Sequence, residues 1–267
     1  MLRILFALAL AALTGSALAQ GKVEVLWLGQ AAFKITTPGG KVIVIDPWLK
    51  TNPKTPAAFK DLAALGKVDL VLVTHGHFDH SADAAELARM HKVRLYAPAG
   101  LKDTLISIGE IPAAQAPGMN KSGIVTPLGP EIKISMVRAE HSSEYSWKDP
   151  SGKTVSLPGG EPAGWIIEME NGFKLYHMGD TGLFGDMRMI GELYKPDLVL
   201  VPIGGNFTIN AQQAAYAMRE LVKPRFAIPM HYGTYPILAG KPEDFVKGLE
   251  GASTRVIVMQ PGEEVKF

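Results

Sequence analysis

Thr74-His75-Gly76-His77-Phe78-Asp79-His80 holds three of the chain's seven histidines, and an aspartate, within the six residues from His75 to His80. It follows the largely apolar run Val68 to Val73. That run is short and rich in Val and Leu, so it reads as a buried strand delivering a loop. Imidazole and carboxylate are donors that Zn, Mn and Fe accept, and four of them this close titrate awkwardly without a cation between them. Gly76 lets the loop turn tightly enough to aim His75 and His77 at one ion, leaving Asp79 and His80 for a second. A surface loop that merely happens to be His-rich is the weaker reading.

Other strand ends repeat the theme. The alternating run Ile132 to Val137 leads into Arg138-Ala139-Glu140-His141. The pair Trp165 to Met169 and Phe173 to Tyr176, joined across Asn171-Gly172, reads as a hairpin that ends in His177-Met178-Gly179-Asp180-Thr181. Arg225 to Pro229 leads into Met230-His231-Tyr232-Gly233-Thr234. His75, His141, Asp180 and His231 therefore leave four different strands, and in layered α/β folds such ends can gather at one side of the sheet. Asp46, at the end of Lys41 to Ile45, either orients a metal-bound histidine or caps the next turn.

Helices are expected over Ser81 to His91 with Ser81 as N-cap, over Leu101 to Ile108, Phe184 to Leu193, Ala211 to Val222 with Asn210 as cap, and Pro242 to Leu249. A last strand is expected over Thr254 to Met259, and residues 144–162 read as a hairpin or flap beside the site. The fold expected from this pattern is α/β, a four-layer αββα sandwich in which two sheets pack face to face with helices outside.

Residues 1–19 have a basic start, an apolar core from Ile4 to Leu13 and Ala17-Leu18-Ala19, the pattern of a cleaved signal peptide. The mature protein, 20–267, would then be one large domain or two intimately packed halves, periplasmic or secreted and free of the membrane. Arg3 is the only charge in the leader, so its removal takes the formal net charge from +1 to 0. That balance gives no electrostatic footprint for nucleic acid. With no cysteine, disulfides, thiolate ligands and a cysteine nucleophile are all excluded.

The motifs Trp27-Leu28-Gly29, Ile45-Asp46-Pro47-Trp48, Thr74 to His80, Gly160 to Gly164, Gly179-Asp180-Thr181 and Met230 to Thr234 resemble the metallo-β-lactamase superfamily. Within it they are similar to the metal-dependent hydrolase branch related to L-ascorbate-6-phosphate lactonase. The resemblance implies one metal held by His75, His77 and His141, a second held by Asp79, His80 and His231, and Asp180 bridging them. Gln30 stands where many relatives carry histidine, and Ile209-Asn210-Ala211 replaces an expected Met-Gly-Pro.

Two divalent ions, zinc first with manganese or iron as alternatives, would lower the pKa of a shared water for attack on a small-molecule ester, lactone, amide or phosphoester. Asp79 or Asp180 would orient that water and take its proton. His177 would protonate a leaving group or serve as a buried structural residue, and Asn206 and Tyr232 are candidates for substrate or oxyanion contact. An iron-dependent redox enzyme and a non-catalytic metal sensor are the competing classes.

Overall fold

Alternation along the strands decides the layering. In Val25-Leu26-Trp27-Leu28, Val25 and Trp27 join one buried cluster while Leu26 and Leu28 join another. In Leu198-Val199-Leu200-Val201 the same parity separates Leu198 and Leu200 from Val199 and Val201. Strands buried on both faces belong to sheets covered on both sides. A computed structural model describes residues 21–267, and the expected signal peptide lies outside the described residues.

The first sheet contains β1 (Glu24–Gly29), β2 (Ala32–Thr36), β3 (Val42–Ile45), β4 (Leu70–Leu72), β5 (Arg94–Tyr96) and β15 (Glu264–Lys266), in the order β15-β1-β2-β3-β4-β5. The second contains β6 (Ile124–Val125), β7 (Lys133–Arg138), β10 (Ala163–Glu168), β11 (Lys174–His177), β12 (Leu198–Pro202), β13 (Phe226–Met230) and β14 (Arg255–Val256), in the order β14-β13-β12-β11-β10-β7-β6. Phe33, Ile35, Ile43 and Leu72 of one sheet meet Ile134, Trp165, Ile167 and Leu200 of the other in the central core.

Helices α2 (Ala84–His91) and α3 (Ala99–Ser107) cover the outer face of the first sheet through Leu87, Ala88, Leu101 and Leu105. Helices α4 (Met187–Tyr194) and α5 (Ala211–Tyr216) cover the second through Met187, Ile190, Ala211 and Ala214, and Phe245 of α6 (Pro242–Gly248) joins them. The architecture is the αββα sandwich expected from the sequence.

Three local expectations change. The helix expected over Ser81 to His91 is two pieces, α1 (Phe78–Ser81) and α2. Its break falls at Asp83, whose carboxylate accepts from the Leu49 and Lys50 amides across the fold. Ser81 is the end of the first piece rather than an N-cap, and its hydroxyl donates to the Gly76 and His77 carbonyls. Only Arg255–Val256 of the expected last strand pairs, and the true C-terminal strand, β15, pairs antiparallel with β1.

Strands β7, β11 and β13 run in the same direction, because β10 is antiparallel to both β7 and β11 while β11, β12 and β13 are mutually parallel. Their C-terminal ends therefore open at one edge of the sandwich. The separate hairpin β8 (Glu144–Lys148) and β9 (Thr154–Pro158) stands beside that edge, as expected.

Candidate metal centre

Asp46 is the anchor from which the histidine loop is built. It sits at φ 48° just after β3, a left-handed conformation that costs a non-glycine residue energy and marks positions held for a purpose. Its Oδ1 accepts the Thr74 amide at 2.7 Å, and its Oδ2 accepts both the Thr74 hydroxyl at 2.6 Å and His80 Nδ1–H at 2.7 Å. The carboxylate thus fixes the His80 ring so that Nε2 faces inward. Of the two roles open from sequence, the geometry selects the orientation of a histidine.

The same hydrogen bonds settle the tautomer of His75. Since the Thr74 hydroxyl spends its proton on Asp46, the 3.0 Å contact between Thr74 Oγ1 and His75 Nδ1 must be donated by the ring. Nε2 of His75 is left with a lone pair. His77 Nε2 lies 3.1 Å from the Glu144 carboxylate, which can only accept, so a neutral His77 ring presents a lone pair at Nδ1. These two inner nitrogens are 3.0 Å apart. At that distance the two nitrogens share either a proton or a metal ion, and His141 closes the group from the end of β7.

A second group contains Asp79, His80, Asp180 and His231, with ligand atoms within 4.8 Å of one another. His231 Nε2 is 3.2 Å from Asp79 Oδ2 and 3.1 Å from Asp180 Oδ2. His80 Nε2 is 3.3 Å from Asp180 Oδ1, and His141 Nε2 of the first group is 3.5 Å from Asp180 Oδ2. Asp180 therefore touches both groups. The buried Gln30, at φ 52° in the turn between β1 and β2, donates from Nε2 to Asp79 Oδ2 at 2.9 Å and lies 2.8 Å from His231 Nε2.

The electrostatics differ between the groups. Burial, and then the positive charge on His80, hold His75 well below the ordinary histidine range, and burial likewise lowers His141. Burial acts against charge in the second group too, but mutual attraction outweighs it. His80 is raised well above its ordinary value by Asp180, Asp79 and Asp46, and His231 is raised to about 9, chiefly by Asp180. Asp79 and Asp180 are correspondingly held far below the usual carboxylate range by the two imidazoles.

Two carboxylates facing two imidazoliums are neutral in sum, so the two protons do what one divalent cation would do. His80 Nε2 and Asp180 Oδ1, both buried, face each other at 3.3 Å without the geometry of a hydrogen bond, an arrangement that an ion held by both atoms would satisfy better. Both donor groups fit a divalent metal on these observations.

Three sequence candidates fall outside the centre. His177 is buried on the face of β11 that meets Phe33, ring centroids 5.8 Å apart. Its Nε2–H donates to the Ala31 carbonyl and its Nδ1 accepts from the Gly179 amide, so neither nitrogen is free for a leaving group and the structural alternative holds. Tyr232 turns away because His231 adopts φ 56°. Its ring packs on Trp27 at 5.6 Å and lines a different cleft. Asn206 is exposed and does not line the cavity over the donors. That cavity, about 380 Å³, is walled instead by Gln30, Phe78, Ser142, Phe207, Tyr235 and Leu238 beside the donors themselves. Phe78 lay inside the histidine motif, but nothing in the sequence showed that its ring faces outward.

Residues 41–232 match the family model described as a beta-lactamase superfamily domain. The chain belongs to that superfamily. It is 63% identical over 250 residues to a UPF0173 metal-dependent hydrolase of Cupriavidus necator, covering 92% of this chain and 86% of that one. It is 43% identical over 247 residues to another from Rubrobacter xylanophilus, with 92% and 97% covered. Among solved structures, Igni18, described as a novel metallo hydrolase from Ignicoccus hospitalis, superposes with TM-score 0.78 at 35% identity, over 92% of this chain and 98% of that one. The metallo-beta-lactamase fold protein YhfI from Bacillus subtilis, at 13% identity and TM-score 0.65 over 92% and 100%, shares the fold. Membership in this group of metal-dependent hydrolases agrees with two donor clusters at one edge of the sandwich.

Proposed function

We propose that this superfamily hydrolase is exported and carries two divalent metal ions with which it cleaves a small-molecule ester, lactone, amide or phosphoester. The observation that carries the reading is Asp180, whose carboxylate reaches His141 on one side and His80 and His231 on the other. His75, His77 and His141 would hold one ion, Asp79, His80 and His231 the other, and Asp180 would lie between.

When bound by these residues, zinc, or manganese or iron, would supply Lewis acidity for activating water near neutral pH. The chain's own residues position and move protons. Asp79 is fixed at the cavity wall by the Gln30 amide, where its carboxylate can take the proton released on attack. Asp46 and Glu144 hold the outer nitrogens of His80 and His77, so the rings need no reordering during turnover. Export is inferred from residues 1–19, and no described helix is long and apolar enough to cross a membrane.

The test is elemental analysis of the mature protein, purified without chelator or added metal, beside a panel of ester, lactone, amide and phosphodiester substrates. Near two equivalents of zinc or manganese with turnover, and loss of metal or turnover in folded His75→Ala and Asp180→Ala, is the expected result. Full metal and activity in both variants refutes the site. Iron without hydrolysis favours redox chemistry, and bound metal without turnover favours a sensor. Mass measurement of the protein from a periplasmic fraction tests cleavage after residue 19.

A further inference from the structure

The cavity wall is chemically lopsided. Beside the donors it presents Phe78, Phe207, Tyr235 and Leu238, and the first three leave 51%, 58% and 38% of their surface exposed. Scattered exposed apolar side chains are ordinary, but three rings at the mouth of one cavity are not scattered.

Two of these rings are also held in place. Trp48, 2% exposed, meets Phe78 edge-on at 5.4 Å and stacks on Tyr235 at 6.2 Å. A single buried indole thus supports both rings, keeping this apolar surface preformed.

No Lys or Arg is among the described residues that line this cavity. Lys54 faces a separate cleft that shares only Gln30 with it. A substrate bearing an anionic group away from the reacting bond would find no side-chain cation to meet it. An uncharged apolar group would instead cover rings that now face water.

We propose that Phe78, Phe207 and Tyr235, over Leu238, form the subsite for an aliphatic or aryl portion of an uncharged ester, lactone or amide whose scissile carbonyl lies at Asp79 and Asp180. Water adds across the acyl C–O or C–N bond, giving a carboxylic acid and an alcohol or amine, so no co-reactant is needed. The reaction rests on the hydrolase reading above, whereas the binding preference stands apart from it.

The test titrates the zinc-loaded mature protein calorimetrically with acetate, butyrate, 4-phenylbutyrate and glycerol phosphate, alongside kcat/KM for p-nitrophenyl acetate, butyrate and hexanoate. Affinity should tighten by up to about fourfold per buried methylene, and 4-phenylbutyrate should bind at least about tenfold tighter than acetate. Phe207→Ala and Tyr235→Ala should each lose most of that gain while keeping the wild-type zinc content. The gradient in binding without turnover of any ester would uphold the subsite and defeat the hydrolase reading. A flat series, or glycerol phosphate binding as tightly as 4-phenylbutyrate, would overturn the proposal. So would variants that change the oligomeric state on size exclusion but leave affinity untouched, since the rings would then serve contact between copies.

Discussion

Asp46 makes three short hydrogen bonds, two to Thr74 and one to His80, and through Thr74 it also governs His75. Asp46→Asn can preserve the volume but places an NH2 where acceptors are needed. We expect a 10- to 100-fold loss of affinity for the more weakly held metal, measured by competition with a chromophoric chelator, with circular dichroism near wild type. Unchanged affinity would show that the ring of His80 is oriented by packing alone. Protons report on the same site. In the metal-free protein His231 is protonated below about pH 9, and His80, raised in the same direction, is protonated at neutral pH. Metal binding at Asp79, His80, Asp180 and His231 must therefore expel close to two protons near pH 7, whereas His75 and His141, held low, release none. Apparent affinity should fall as pH falls below about 9. Calorimetry in buffers of different ionisation enthalpy measures the count, and a release below one proton would contradict the charge pairing described for this group.

At the level of elements, the hairpin β8–β9 is stitched to the histidine loop. Ser143 Oγ accepts the Gly76 amide at 3.0 Å and donates to the Gly159 carbonyl at 2.8 Å. A Cβ on Gly159 would fall 2.2 Å from the Ser143 carbonyl oxygen, which is backbone and cannot swing aside. Gly159→Ala should therefore cost about 1–3 kcal/mol and loosen His77 and His141 together, read as a lower thermal midpoint and reduced metal content. A variant with wild-type values in both would show that the hairpin moves independently of the donors.

The element scale also shows what the sequence could and could not reveal. Donor stations at the ends of β4, β7, β11 and β13 were legible because short runs of branched and aliphatic residues end in polar, glycine-bearing segments. The break at Asp83 was not, since its carboxylate serves amides of Leu49 and Lys50 in another segment. β15 was missed because three residues with one apolar side chain have no pattern of their own and pair only once β1 is in place. Tyr232 was misplaced, and His177 was left open between two roles, for a directional reason. Residue spacing identifies a strand end, but the φ of His231 and the face of β11 decide where the next ring points.

For the whole molecule, any ion that binds the folded chain and not the unfolded one adds stability in proportion to the logarithm of its free concentration over its Kd. At 1,000 times Kd that is about 4 kcal/mol. Chelation should lower the thermal midpoint by roughly 8–16 °C at this size, as followed by scanning calorimetry with and without chelator and restored by zinc. A midpoint insensitive to both would mean that the donor groups hold no metal that matters to folding.

Asp79 and His231 stand 152 residues apart in the chain, yet their ligand atoms end 3.2 Å apart. Neither half of the sequence can form this pair alone, so the group of Asp79, His80, Asp180 and His231 is incomplete until β13 has docked beside β12 and brought its end against the β1–β2 turn, where the His231 amide donates to the Gln30 carbonyl. An ion at this group would consequently bind late, where folding finishes. The metal found in the protein would then report its surroundings at that moment as much as the preferences of its ligands.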